Sequence, residues 1–221
     1  MNSGKSSGYI WFDAEFTSIN LETAKILQVA AIATDINLNP IDDIDNYINL
    51  TIKIEKNELI SPWVKENLGD LINKCLSPEA VEVNVADSII CDWIEGIFGK
   101  PNEDIFKRPI LAGNSVHNDW YMMRKFFPKF KNCLHYRLLD VTTLKILWKD
   151  WGFIDRQFDK DCLEEINDFY SGENINKLHP HDALFDIKAS IAEMSFYKKN
   201  LHQNAKKKQV DLLFLKIKFF C

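Results

Sequence analysis

Tyr9-Ile10-Trp11-Phe12-Asp13-Ala14-Glu15-Phe16-Thr17 is the stretch on which the fold turns. An apolar run meets an acid, and a second acid follows two places later. Such a run reads as a strand buried on both faces. Residues two apart in a strand point to one side, so Asp13 and Glu15 share a face. Two carboxylates beside a core are costly unless a cation neutralises them. Paired hard oxygen donors suit a hard divalent ion, Mg²⁺ or Mn²⁺. The plainer reading is a strand end with two solvated acids at the sheet edge.

Outward from this strand, residues 26–34 are apolar and rich in β-branched side chains, which predicts a second strand. Asn37-Leu38-Asn39-Pro40 is a turn signal. Residues 47–54 alternate between polar and apolar, the pattern of a half-buried third strand. Three strands on short turns make an antiparallel meander. Ser61-Pro62 starts a helix, with Ser as N-cap and Pro in the first turn. Residues 85–98 carry Ala86, Ile89, Ile90, Trp93, Ile94 and Ile97 on one helical face. Residues 109–113 and 136–141 read as short strands, and each is followed by a helical pattern. Residues 155–177 read as loop with one short helix, and residues 183–197 as a strong helix. The expectation is an α/β fold with a mixed five-stranded sheet, its front an antiparallel meander, flanked by helices.

The chain has 221 residues, 46% of them hydrophobic, enough for one globular α/β domain. Residues 1–8 read as a polar lead-in, 9–202 as the domain, and 203–221 as an extension that packs on it or stays irregular. No stretch approaches the roughly 20 apolar residues of a membrane span. The five cysteines are scattered, with no C-x-x-C. That predicts reduced thiols inside the cell, without a zinc site or a disulfide framework. The cytoplasm is the first expectation, with mitochondrion and nucleus as alternatives. The net charge of −5 argues against a protein that grips long duplexes through their phosphates. Nucleic acid, if handled, meets a local site on a short strand.

Two later carboxylates can join Asp13 and Glu15. Asp119 falls in the first turn of a helix just after a strand, where the helix dipole favours its charge. An ordinary N-terminal helix acid is the alternative. Asp186 lies near a helix start, with His181 shortly before it, so a carboxylate and an imidazole can approach one site. A surface histidine and a plain helix acid are again the alternative.

Together these residues carry a resemblance. Asp13-x-Glu15, then Gly113-Asn114-Ser115-Val116-His117-Asn118-Asp119, then His181-Asp182-Ala183-Leu184-Phe185-Asp186 resembles the DEDDh 3′–5′ exonucleases of the ribonuclease H-like fold. With His135-Tyr136-Arg137-Leu138-Leu139-Asp140-Val141-Thr142-Thr143-Leu144-Lys145 the chain looks like an oligoribonuclease, from about Trp11 to about Leu201. The resemblance implies that Asp13, Glu15, Asp119 and Asp186 hold two divalent ions, Mg²⁺ or Mn²⁺. His181 would be the general base and His179 a bystander. It implies a homodimer that degrades short single-stranded RNA, dinucleotides to about five nucleotides, to 5′-mononucleotides by two-metal-ion hydrolysis. Ile19 matches a wedge between two bases, Trp63 a stacking platform, and Ser115, Tyr136 and Arg137 a cap on the 5′ phosphate. The Tyr-Arg pair would come from the second subunit. Ile19 replaces the family's leucine, and Leu68 stands where the family has a histidine. A broader exonuclease acting on longer RNA or DNA is the alternative enzyme. A non-catalytic RNA-binding protein on the same fold is the alternative outside enzymes.

Overall fold

A computed structural model describes residues 7–41, 47–151, 156–173 and 182–218, with side chains through residue 201. Strands β1 (Tyr9–Phe16), β2 (Ile26–Thr34), β3 (Ile48–Thr51), β4 (Ile110–Gly113) and β5 (Leu138–Asp140) form one sheet in the order β3-β2-β1-β4-β5. β1 pairs antiparallel with β2 and parallel with β4, so the opening stretch is the central strand. β2 and β3 are antiparallel, and β4 and β5 parallel. The expected meander and mixed sheet are both present. β3 is shorter than its alternating pattern. The Ile52 N–H still donates to the Leu27 carbonyl of β2, and then the chain leaves it: the Lys53 N–H donates to the Val81 carbonyl and the Ile54 N–H to that of Cys75.

Helices cover both faces. In chain order they are α1 (Pro62–Asn67), α2 (Gly69–Cys75), α3 (Val83–Phe98), α4 (His117–Phe126), α5 (Pro128–Cys133), α6 (Val141–Asp150), α7 (Leu163–Phe169) and α8 (Ala183–Lys218). Ser61 caps α1 as expected, its Oγ accepting the Val64 N–H. The alternation of β1 sorts the two cores. Ile10, Phe12 and Ala14 join α3, α4 and α5 on one side, through residues such as Ile90, Ile94, Met123 and Phe130. Trp11 faces the other way, among α8 side chains including Ile187 and Ile191. Asp13 and Glu15 follow Trp11 at steps of two, so they point toward α8. A small third core under α1 and α2 holds Leu27, Ile54, Val64, Leu68 and Cys75.

Gly113 ends β4 where a side chain has no room. A Cβ there would lie 2.9 Å from the Phe12 carbonyl oxygen. β4 therefore packs tightly on β1 and stops while β1 runs on to its two acids. The C-terminal extension differs from the irregular alternative. Its backbone is a continuation of α8 to Lys218.

Candidate active site

β1 carries Asp13 and Glu15 past the end of β4, and α8 brings Asp186 in its first turn. Carboxylate oxygens of these three residues lie within 4.8 Å of one another. Asp119, in the first turn of α4, is buried. Its Oδ1 accepts the Ala14 N–H at 3.1 Å, which fixes α4 against the end of β1. Three of the four acids expected from the sequence thus share one cluster, and Asp119 stands next to it. His181 and His179 lie outside the described residues.

The electrostatics are those of a site short of positive charge. Burial, then Asp119, Asp186 and Glu15, push Asp13 well above the carboxylate range, and Lys160 opposes them. Burial pushes Glu15 up to about 7, with Asp186 and Asp182 adding to it. Asp119 is raised as well, chiefly by burial, against its backbone hydrogen bonds. Like carboxylates held together in this way favour either a proton or a cation. The donors are all oxygen, which fits a hard divalent ion. Asp13, Glu15 and Asp186 have the reach to hold it, with Asp119 set behind them.

A cleft of about 400 Å³ opens from Asp13 and Asp186 toward α6. Its far wall is a polar network that sequence reading did not single out. Asn114 Nδ2 donates to Ser190 Oγ at 2.9 Å and to Glu193 Oε2 at 3.1 Å. Lys145 Nζ lies 3.2 Å from Glu193 Oε1, which also accepts the Tyr197 hydroxyl at 2.8 Å. Lys145 and Lys160 set two cations along an otherwise acidic cleft, the arrangement a phosphate ester needs. Asn114 was within reach of the sequence argument, since it stands in the stretch that contains Asp119. Lys145 closes the His135–Lys145 stretch that carries the resemblance, but its pairing with Glu193 gave no signal, because it depends on the packing of α6 against α8.

Ser115 lines this cleft in a left-handed conformation, φ 50°. Its N–H donates to Thr142 Oγ1 at 2.8 Å and to Asp140 Oδ1 at 3.0 Å. Ile19 and Trp63 sit on exposed ground, Ile19 almost fully so and Trp63 half exposed. Neither belongs to one of the described cores. Their segments are joined at the root: the Ser61 N–H donates to the Thr17 carbonyl at 2.9 Å. Leu68 is buried in the small core under α1, so it offers nothing to a ligand. Tyr136 and Arg137 are exposed and lie outside the described lining of the cleft. Tyr136 stacks on buried His135, and Arg137 Nε donates to the Tyr136 hydroxyl at 3.1 Å.

The profile of the exonuclease family (RNase_T) matches residues 10–194 of this chain. The chain belongs to the exonuclease family. Similar exonucleases include the oligoribonuclease of Francisella tularensis subsp. novicida, 29% identical over 87% of this chain and 94% of that protein. The human mitochondrial oligoribonuclease is 29% identical over 91% of this chain and 75% of its own length. Among solved structures, exonuclease I of Methylocaldum szegediense superposes with a TM-score of 0.61 at 17% identity. It aligns with 87% of this chain, which spans 40% of that longer protein. Exonuclease I of E. coli bound to a dT13 oligonucleotide gives the same TM-score and identity over 95% of this chain. The fold is ribonuclease H-like, and the protein is a hydrolase, an exonuclease. Exonucleases of this family depend on divalent metal ions, and the carboxylate cluster is the part of this one suited to them. No helix among the described residues is long and apolar enough to cross a membrane.

Proposed function

We propose that this exonuclease is an oligoribonuclease: a homodimer that removes 5′-mononucleotides from the 3′ end of RNAs a few nucleotides long. The observation that carries the reading is the convergence of Asp13, Glu15 and Asp186, with Asp119 fixed beneath β1. Asp13, Glu15, Asp119 and Asp186 would hold two Mg²⁺ or Mn²⁺ ions. Such ions, when bound, lower the pKa of water and offset charge on the departing oxygen. His181 takes the proton of the attacking water, a task suited to an imidazole that titrates near neutral pH. Lys145 and Lys160 draw the phosphate into the cleft.

Length selection rests on the rim. Trp63, half exposed, would stack a base, and Ile19, almost fully exposed, would separate two. Ser115 faces the cleft, and Tyr136 with Arg137, exposed and away from it, supports a cap on the 5′ phosphate supplied by a second copy of the chain. Reduced cysteines and the likeness to oligoribonucleases support an intracellular enzyme that finishes RNA decay.

Hydrolysis of 5′-phosphorylated RNAs of about 2, about 5 and about 20 nucleotides tests the reading, with Mg²⁺ or Mn²⁺ and then with chelator. Fast cleavage of the dinucleotide that falls with length and stops with chelator supports it. Equal cleavage of the longest RNA replaces it with a broader exonuclease. His181→Ala should abolish turnover and leave metal-induced stabilisation in place, and a near-normal rate removes His181 as the base.

A further inference from the structure

We propose a second metal site, remote from the carboxylates, in which Cys91, Glu95 and Cys133 bind a borderline-soft divalent ion of the zinc class. Their spacing in the sequence hides it. Cys91 and Glu95 are four apart on α3 and share a face. Cys133 ends α5, which packs against α3. Cys91 Sγ lies 3.2 Å from Cys133 Sγ and 3.8 Å from Glu95 Oε1. One donor atom from each residue falls within a 4.8 Å cluster. Tetrahedral zinc, with bonds of about 2.3 Å to sulfur and about 2.1 Å to oxygen, sets donor separations of about 3.8 Å and about 3.6 Å. The two sulfurs need to part by only about 0.6 Å to meet that geometry, a small χ1 adjustment. Water completes the fourth position.

The surroundings suit a cation. Asp87 is buried at the same helix junction, where it accepts the N–H groups of Lys129 and Phe130. With Glu95 beside the sulfurs, the junction is negative. The same negative field attracts a divalent ion, which binds both sulfurs as thiolates and releases two protons to solvent. Thiolate donors select against Mg²⁺, so the site does not compete with the carboxylates for their ion. Cys133 also lines a cavity of about 280 Å³ beside Phe98 and Pro109. A metal here would brace α3 against α5 just before His135, Tyr136 and Arg137.

Co²⁺ titration of the reduced, full-length protein tests the site. A near-ultraviolet thiolate-to-cobalt band that saturates at one ion per chain is expected, and Zn²⁺ but not excess Mg²⁺ should bleach it. Cys91→Ser and Cys133→Ser should each abolish the band, whereas Cys162→Ser and Cys221→Ser should retain it. Glu95→Gln, which leaves both thiols and the α3–α5 packing in place, should weaken Co²⁺ binding about tenfold. No band, a band that survives Cys91→Ser with Cys133→Ser, or unchanged affinity in Glu95→Gln overturns the proposal. A two-hydrogen mass loss that links Cys91 to Cys133 without any band overturns it too. RNA hydrolysis is not the readout, so this result stands apart from the substrate assignment.

Discussion

Asp119 Oδ1 accepts the backbone N–H of Ala14 at 3.1 Å, across 105 positions of chain. One oxygen of a candidate metal ligand is thereby spent on holding α4 to β1, between the two acids of the central strand. Structure and chemistry share a single carboxylate.

That sharing separates two substitutions. Asp119→Asn keeps an acceptor for the Ala14 N–H and loses the charge. It should fold normally and lose roughly 100-fold or more in kcat. Asp119→Ala also strands a buried N–H and should cost about 1–3 kcal/mol in addition. Urea melts and steady-state rates on the same preparations check both. Equal stability of the two variants would remove the structural role of Asp119.

The raised carboxylates make stability depend on pH in a definite direction. Glu15 is pushed up to about 7 from an ordinary value of 4.5. The folded protein keeps a proton that the unfolded chain has released, so this contribution is full below 4.5 and fades as pH rises through 7. Asp13 and Asp119 act in the same sense. In chelator, Tm should fall between about pH 5 and about pH 8, with a shallower slope for Glu15→Gln. A parallel slope in that variant would sink the assignment.

Metal should reverse that trend. An ion that binds only the folded state at 100 times its Kd stabilises it by about 2.7 kcal/mol. Mn²⁺ or Mg²⁺ at pH 8 should raise Tm, and Asp186→Asn should blunt the rise. Calorimetry with and without chelator measures it, and an equal rise in wild type and Asp186→Asn would place the ion elsewhere.

Trp63 is half exposed at the root-linked rim and packs in none of the cores. Trp63→Ala should change stability by less than about 0.5 kcal/mol. Loss of one stacked base, worth about 1–3 kcal/mol, should raise KM about tenfold or more at nearly constant kcat. A drop in kcat with KM unchanged would assign Trp63 another role.

Lys145 balances a carboxylate that is only 1% exposed. Lys145→Ala leaves Glu193 with Asn114 and Tyr197 as donors and should destabilise the protein by about 1–3 kcal/mol. Adding Glu193→Gln should recover most of that loss in a denaturant melt. No recovery would mean that Lys145 acts by packing alone.

Much of this could be read from the sequence where local pattern determines structure. The apolar run before Asp13 identifies the central strand, and the i, i+2 spacing puts Glu15 on the same face. Ser61-Pro62 marks α1 because capping is a local interaction. Patterns fail where distant packing decides. β3 ends early because the chain switches partner to Val81, which no alternation records. The helical register of α8 is followed in the sequence only to Tyr197, whereas the helix continues to Lys218. Cys91 and Cys133 look scattered because only the docking of α5 on α3 brings them together. Lys145 and Glu193 meet for the same kind of reason, across α6 and α8.

The order of the acids along the chain has a consequence for the enzyme's synthesis. Asp13 and Glu15 lie on the first strand, and Asp186 arrives with the last helix. A chain emerging from the ribosome presents its first strand long before α8 is made. No shorter nascent fragment can assemble the three-carboxylate cluster. A nuclease built beside RNA thus stays unarmed until α8 has been translated.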